Sequence, residues 1–498
     1  MLDFQYLVFG RKKVPTIPNL KMGIEQVLYF EGLIRGLFMI GKPGSGKTRF
    51  AAYTIVSFME YYPDRGAVIL DASGALCDTI LDIILTLPKE RKEKLLKRIV
   101  YDELCHPEYT HTQPEFSPAY GVDMETQVQR VSENLRRLNE DLVKNNPTLG
   151  GIALNEMAPQ LFRLLTVIQN QYGENWQITE GKKLLTDGML MTRVLDRFGF
   201  RAPESKWYFE NIYQNMDMRK GENELRSYTL RSVLGVIEPR EVRARVGYYK
   251  PTWTPKEADE KGLFVLVSGE RMLDKEPQLN YLFTQIHSLV RQYINTRRPN
   301  DPKNKPFLYW IDEAPVLVKV PGMARELGEV STFYRSRNLY IGIIVQALWQ
   351  LSDELKEQAW SMGNIVAFGV DDFNDARVIA EQLFHYGPTT IKQPARTHTQ
   401  NPITEPDHGQ YTLFANWLQD MRQRFFVMRR YYDEAKADKY IWYSKTKTVP
   451  TLQDHQELLD TKERILKERG IGIREALEVI NNRKLEPDKK KEDPKQIS

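Results

Sequence analysis

The sequence predicts an α/β protein: a parallel sheet of the phosphate-binding-loop kind, interrupted by a largely helical inserted domain. Three observations carry that prediction. The stretch Leu37–Phe50, LFMIGKPGSGKTRF, is an apolar run, a glycine-rich turn and the start of a helical run. Phe307–Glu313, FLYWIDE, is a second apolar run closed by two adjacent acids. Between them, from about Asp123, apolar residues change to helical spacing, which marks a change of architecture within the chain.

The first stretch is the most specific. Gly41-Lys42-Pro43-Gly44-Ser45-Gly46-Lys47-Thr48 fits G-x-x-x-x-G-K-[ST] without a mismatch, in the strand–loop–helix context such a loop requires. Glycines let the backbone turn tightly and aim N–H groups at phosphate oxygens. The N-terminus of the following helix adds its partial positive charge there. Lys47 is expected to reach the β- and γ-phosphates and the Thr48 hydroxyl to ligate Mg²⁺. A glycine-rich turn that binds nothing is the competing reading, and the agreement of motif and context argues against it. The loop predicts a bound nucleoside triphosphate.

Composition sets the bounds. With 498 residues the chain is long enough for two or three domains or a large insertion, and 41% hydrophobic and 27% charged residues are ordinary for a globular protein. A formal net charge of +4 is small for this length, so any nucleic-acid surface has to be local. Cys77 and Cys105 are the only cysteines. They make no disulfide framework, so the expected location is the reducing cytoplasm. Met1–Gly10 lacks the basic start and apolar core of a secretory signal, and the most apolar window, Val27–Ile40, is interrupted by Glu31 and Arg35. Membrane contact is expected only through a partner.

In chain order, residues 1–35 read as an entry segment packing on the core. Residues 36–124 read as the first part of the ATPase core: after the loop helix come Ala67–Leu70 with Asp71 and Gly74, the charged helix Lys89–Lys97, and a strand at Arg98–Tyr101. Residues 125–255 read as the all-helical insertion, with helices at Leu161–Tyr172, Gly181–Phe198 and Glu222–Ile237. Residues 256–450 return to the sheet, through Gly262–Ser268, the helix Leu279–Thr296, and strands Phe307–Ile311, Tyr340–Val345 and Asn364–Val370. Thr389–Gly409 is read as an exposed loop and Arg424–Arg429 as a last strand. Residues 451–498 read as a helical, charged tail with a disordered end.

The second acidic motif completes a hydrolytic set. Asp312, at a strand tip, is placed to hold Mg²⁺ through water, and Glu313 to polarise the attacking water as general base. Gln346, at the tip of the next strand, is placed to sense the γ-phosphate or its water. Arg335 and Arg337 precede that strand, at the opposite sheet edge. There they are positioned either to act as a finger on a neighbouring subunit's nucleotide or to make solvated surface ion pairs; the residues leave both readings open.

The order of these elements resembles the additional-strand RecA-like ATPases of the HerA–FtsK group, and within it the TraG-like coupling proteins of conjugative type IV secretion. The resemblance rests on Gly41–Thr48, Asp71 with Gly74, Phe116-Ser117-Pro118 in place of Phe-Asn-Pro, the helical insertion, and Gly262–Ser268. Asp312-Glu313, Arg335, Gln346, and Gly363–Gly369 with Asp371 complete it. It covers roughly Gly36–Arg429. It implies a homo-hexameric ring that hydrolyses ATP with Mg²⁺ and threads single- or double-stranded DNA through its centre. Lys47 and Thr48 match the nucleotide ligands, Asp312 and Glu313 the acidic pair, Gln346 the sensor and Arg335 the finger, with Arg337 one register slip away. The lysine usual after the Asp71 position is absent, and neither a transmembrane anchor nor an N-terminal barrel is seen. The implied partners are a relaxase, a secretion channel or a nuclease. Alternatives are an ATPase that remodels a protein partner in secretion or pilus assembly, and one serving a DNA-processing or defence complex.

Weaker features are weighed against structural roles. Arg240, Arg243, Arg245 and Lys250 with Tyr248, Tyr249 and Trp253 suit phosphate contact and base stacking, but a helix end followed by packed aromatics is the favoured reading. Cys105, His106 and His111 fit no standard zinc spacing. Trp349, Trp360, Trp417 and Tyr440–Tyr443 are expected in the core.

Overall fold

The computed structural model describes residues 6–9, 12–15, 20–22, 30–140, 144, 152–173, 175–213, 234–384, 391–393, 403–404, 407–430, 441–448, 452 and 454–483. Two compact units are distinguished. One comprises Met1–Ile99, Asp259–Leu266 and Arg297–Leu459; the other Val100–Ala258, Val267–Thr296 and Asp460–Ser498.

The centre of the fold is a ten-stranded sheet. Its strands, numbered in chain order, are β1 (Leu20–Met22), β2 (Leu37–Ile40), β3 (Ala67–Asp71), β4 (Ile99–Glu103) and β5 (Phe264–Ser268). They continue as β6 (Phe307–Asp312), β7 (Leu339–Val345), β8 (Asn364–Phe368), β9 (Phe425–Arg429) and β10 (Ile441–Lys445). The spatial order is β1-β10-β9-β8-β2-β7-β6-β3-β5-β4. From β8 through β2, β7 and β6 to β3 every pairing is parallel, while β9 is antiparallel to β8 and to β10. A sheet of this kind is covered on both faces, so its strands are apolar throughout. β2, β3, β6, β7 and β8 are buried at every position.

The register decides what stands at the strand ends. Val345 pairs with Ile40, and Asp71 pairs with Asp312. The glycine loop, Asp71, the Asp312–Glu313 pair and Gln346 therefore leave the sheet side by side at its carboxyl edge, where α/β sheets bind ligands. In the middle of the sheet Gly342 lies opposite Trp310. A Cβ there would fall 2.5 Å from the Trp310 indole, so the ring occupies the space a side chain would need.

The helix Lys47–Tyr61 follows the loop and buries Phe50, Ala51, Ile55 and Phe58. Arg98 anchors its far end: the guanidinium donates to the carbonyls of Met59 (2.6 Å), Tyr62 (3.0 Å), Arg65 (2.7 Å) and Gly262 (2.8 Å). A cation on the last carbonyls of a helix is where the helix dipole favours it.

The second unit contains the helices Met124–Leu138, Ala158–Tyr172, Ile178–Thr186, Gly188–Phe198, Arg240–Gly247, Glu276–Thr296 and Ile473–Asn481. Among the described residues of 125–255 there is no strand. Its core holds two buried ionic clusters. Asp102 takes a two-pronged pair from Arg245 (2.7 and 2.8 Å) and a bond from Trp253 Nε1 (3.0 Å). Glu115 receives Arg130 (2.9 Å) and the Tyr281 hydroxyl. Arg245 and Trp253 are thus structural residues of an interior. His111 is buried as well: its Nε2 donates to the Tyr101 carbonyl (3.0 Å), which leaves Nδ1 to accept from the Thr252 hydroxyl (2.9 Å).

Three expectations are corrected. The helix expected over Gly181–Phe198 is two helices, because Asp187 caps a new one through the Leu190 N–H at 2.9 Å. The loop expected over Thr389–Gly409 contains a short ladder, Ile391–Gln393 against Ile403–Thr404, and from Asp407 a helix. Trp349 is not in the core but 71% exposed. The turn Leu348–Gln350 buries Leu348 and, beyond it, Leu351, which turns the residue between them outward. Trp360 and Trp417 do pack on core rings, against Phe38 at 5.4 Å and Tyr443 at 5.2 Å. The disordered end expected from about Asp488, Tyr440, and most of the helix expected over Glu222–Ile237 lie outside the described residues.

Candidate active site

The glycine loop is shaped by three constraints. Gly44 and Gly46 have φ of +71° and +113°, which side chains other than glycine's rarely adopt. Gly41 touches β8: a Cβ on it would fall 2.5 Å from the Phe368 Cβ. The Lys42 N–H donates to the Gly369 carbonyl at 2.8 Å, and the Lys42 ammonium pairs with Asp371 at 2.8 Å. Pro43 and Gly44 are exposed at the apex, and Thr48 is half-buried at the start of the helix.

The Lys47 side chain turns back over the loop, its ammonium bonded to the carbonyls of Gly41 and of Lys42 (2.9 Å). Burial depresses its pKa to about 8, against the pull of Asp312 and Glu313. The Ser45 hydroxyl is buried with no hydrogen-bond partner among the described residues. A buried cation with, among the described residues, no carboxylate bonded to it and an orphaned hydroxyl are a poor interior by themselves. They fit a site that receives anionic oxygens.

The acidic tip lies across from that cradle. Asp312 is 6% exposed. Burial, Asp71 and Glu313 push its carboxyl up to about 8, while the Glu313 N–H (3.0 Å) and Lys47 pull it down. Burial and Asp71 also raise Glu313, opposed by Gln346 and Lys47. Glu313 has a φ of +55°, a left-handed conformation that costs a non-glycine residue about 1 kcal/mol or more. That turn takes Glu313 out of strand alternation and sets its carboxylate where the Gln346 amide donates to it at 3.0 Å. Among the described residues no group of three carboxylate, histidine or cysteine side chains is arranged to hold a metal by itself; a cation there would lean on the phosphates as well as on Asp312 and Thr48, as Mg²⁺ commonly does.

Asp71 has a different task. Its two oxygens accept from the Ser73 N–H and hydroxyl (both 3.1 Å) and the N–H groups of Gly74 (2.9 Å), Leu76 (2.8 Å) and Cys77 (2.9 Å). Burial raises its pKa and these donors work against the rise. It fastens the start of the helix Ala75–Leu85.

Lys47, Asp312, Glu313 and Gln346 thus share one edge of the sheet, with mutual influence between Lys47 and both acids. Arg335 and Arg337 do not join them. They sit in the short turn Tyr334–Arg337, ahead of the strand whose far end carries Gln346. At about 3.3 Å per residue that strand separates them by roughly 20 Å. Arg337 Nε donates to the Arg297 carbonyl at 3.0 Å, and its ring-facing guanidinium lies over Tyr334 at 5.5 Å.

Two residues at the loop were not read from the sequence. Gln423 Nε2 donates to the Gly44 carbonyl at 2.8 Å, and the Arg424 N–H donates to the Ser45 carbonyl at 2.7 Å. They precede β9, far along the chain from the loop, and no motif marks them.

The linked protonation has a measurable sign. With its pKa near 8, Asp312 is mostly protonated at pH 7, and a metal cation needs the carboxylate. Binding of the Mg²⁺–nucleotide at pH 7 is therefore expected to release protons, and affinity to rise between pH 6 and 8. Calorimetry in buffers of different ionisation enthalpy measures this; proton uptake at pH 7 would contradict it.

No family model and no curated protein matches the sequence. Solved structures do. The bacterial conjugative coupling protein TrwBdeltaN70, in its unbound monoclinic form, superimposes with a TM-score of 0.54 at 16% identity, over 86% of this chain and 88% of that one. Its trigonal form in complex with sulphate gives 0.53 at 14% identity, over 88% and 92%. The plasmid coupling protein TrwB with the non-hydrolysable GTP analogue GDPNP gives 0.53 at 14% identity, over 87% and 92%. This chain has the P-loop fold seen in the bacterial conjugative coupling protein TrwB, over most of the length of both.

Proposed function

We propose that the protein is an ATP-driven motor of the HerA–FtsK type, hydrolysing ATP with Mg²⁺ in a homo-hexameric ring to move DNA during conjugative or mobile-element transfer. The observation that carries the proposal is the gathering of Lys47, Asp312, Glu313 and Gln346 at one sheet edge beside the glycine loop. The shared fold with a coupling protein, one form of which binds a GTP analogue, supports it. Lys47 and the loop N–H groups would hold the phosphates, with Thr48 and Asp312 holding the cation. That cation would neutralise charge developing on the γ-phosphoryl. Glu313 takes the proton of the attacking water, and Gln346 keeps the Glu313 carboxylate pointed at it. Arg337 is engaged with the Arg297 carbonyl. Arg335 stands where the resembled family has its finger and is the first choice for reaching a neighbouring subunit's nucleotide, with Arg337 the second.

Among the described residues no helix is long and apolar enough to cross a membrane. A relaxase or a secretion channel is the partner this reading calls for. The test is hydrolysis by the purified chain with and without single- and double-stranded DNA, alongside native mass with an ATP analogue. Stimulation by DNA in a six-subunit species is expected. A rate indifferent to DNA would remove translocation from the proposal, and stimulation by a protein instead would favour a remodelling ATPase.

A further inference from the structure

We propose that Gln423 and Arg424 are positioning residues for the phosphate cradle, setting the orientation of two peptide planes in the glycine loop. The inference rests on the loop being a nucleotide site and adds a component from a distant part of the chain. Because a trans peptide is planar, its carbonyl and its N–H point in opposite directions. Gln423 holds the Gly44 carbonyl at 2.8 Å, which fixes the plane that carries the Ser45 N–H. The Arg424 N–H holds the Ser45 carbonyl at 2.7 Å, which fixes the plane that carries the Gly46 N–H. With both carbonyls pulled toward residues 423 and 424, both N–H groups are turned the other way, toward the loop interior. The Ser45 N–H there meets the Lys42 carbonyl at 3.2 Å.

Arg424 is itself built into place. Its φ is +72°, which for a residue with a Cβ is a strained conformation that surrounding contacts must hold. The contacts are specific. Its carbonyl accepts from the Thr446 N–H at 2.8 Å. Its guanidinium reaches the Thr446 carbonyl (3.1 Å), the Thr446 hydroxyl (3.3 Å) and the Thr448 hydroxyl (3.0 Å). The backbone of Arg424 then closes on Gly46, where an added Cβ would come within 3.2 Å of the Arg424 Cα. A hairpin of β9 and β10 thereby grips the loop apex through one strained residue, and the guanidinium is the clasp that keeps that residue in register.

The test uses Arg424→Gly, Arg424→Lys and Gln423→Ala in the full chain, read by binding of a fluorescent ATP analogue, by steady-state hydrolysis and by Tm. Glycine at position 424 removes the backbone strain and the clasp together. It is expected to leave Tm unchanged or higher while raising KM about tenfold with kcat nearly unchanged, since the cradle binds ground and transition states alike. Gln423→Ala is expected to weaken binding by a smaller factor at unchanged Tm. Lysine keeps the charge and the strained backbone but loses the fork, so it should raise KM as glycine does and lower Tm as glycine does not. A wild-type KM in Arg424→Gly overturns the proposal, and so does wild-type behaviour in Arg424→Lys, which would make the effect one of charge. Failure of the underlying site reads differently: the unaltered protein, and not only the variants, would then fail to bind the analogue.

Discussion

Glu313→Gln is expected to slow ATP hydrolysis by roughly a hundredfold to ten-thousandfold, the usual contribution of a positioned general base, while nucleotide binding survives. The glutamine keeps an oxygen to accept from Gln346, and the left-handed backbone at 313 is unchanged. The geometry stands and the basicity goes. The substitution also removes one of the charges that raise the Asp312 pKa, so affinity for the metal–nucleotide should stay level or tighten. Single-turnover hydrolysis together with equilibrium binding separates the two effects. If hydrolysis persists at the native rate, Glu313 is not the base; if binding is lost with it, the corner has collapsed and the variant says nothing specific about proton transfer.

Asp102→Ala should destabilise the second unit by about 3–5 kcal/mol, because it leaves the Arg245 guanidinium buried without its carboxylate. Asp102 is fully buried, and Arg245 is 2% exposed. Burial pushes the Asp102 pKa up, but Arg245 beside it, with bonds from Arg245 and Trp253, holds it below the ordinary carboxylate value. Since the folded pKa is depressed, the stabilisation is present above the unfolded pKa and is lost as pH falls through the folded one. The double variant Asp102→Ala with Arg245→Met is expected to recover most of the loss. Denaturant unfolding of the single and double variants gives the coupling directly, and a single variant as stable as the native chain would show that the pair contributes nothing.

What the sequence made legible follows from how local each kind of chemistry is. Phosphate binding needs one turn of chain, so Gly41–Thr48 can be read as a string. Asp312 and Glu313 needed only an apolar run before them, and Gln346 only its place after the next one. The left-handed turn at Glu313 was not legible, because it is imposed by the corner it faces. Gln423 and Arg424 were silent for a related reason: their partners Gly44 and Ser45 lie in a loop 379 residues away from Gln423. Nothing in Met421-Arg422-Gln423-Arg424 distinguishes a clasp from a basic turn before a strand. Arg245 and Trp253 carried a false signal. Interleaved cations and aromatics look alike whether they face a nucleic acid or close on a buried acid, and only the position of Asp102 separates the two.

The contact between Trp310 and Gly342 constrains how a catalytic cycle can move. An indole lying flush on bare backbone leaves no side chain to slide, so β6 and β7 travel as one slab and the spacing of Glu313 and Gln346 is conserved through it. The glycine loop leaves β2, which pairs with β7 on its other side, so the part of the site free to rearrange is the Lys47 arm folded over its own loop. The strands then supply a frame of fixed shape, and a bound triphosphate has only that arm to displace.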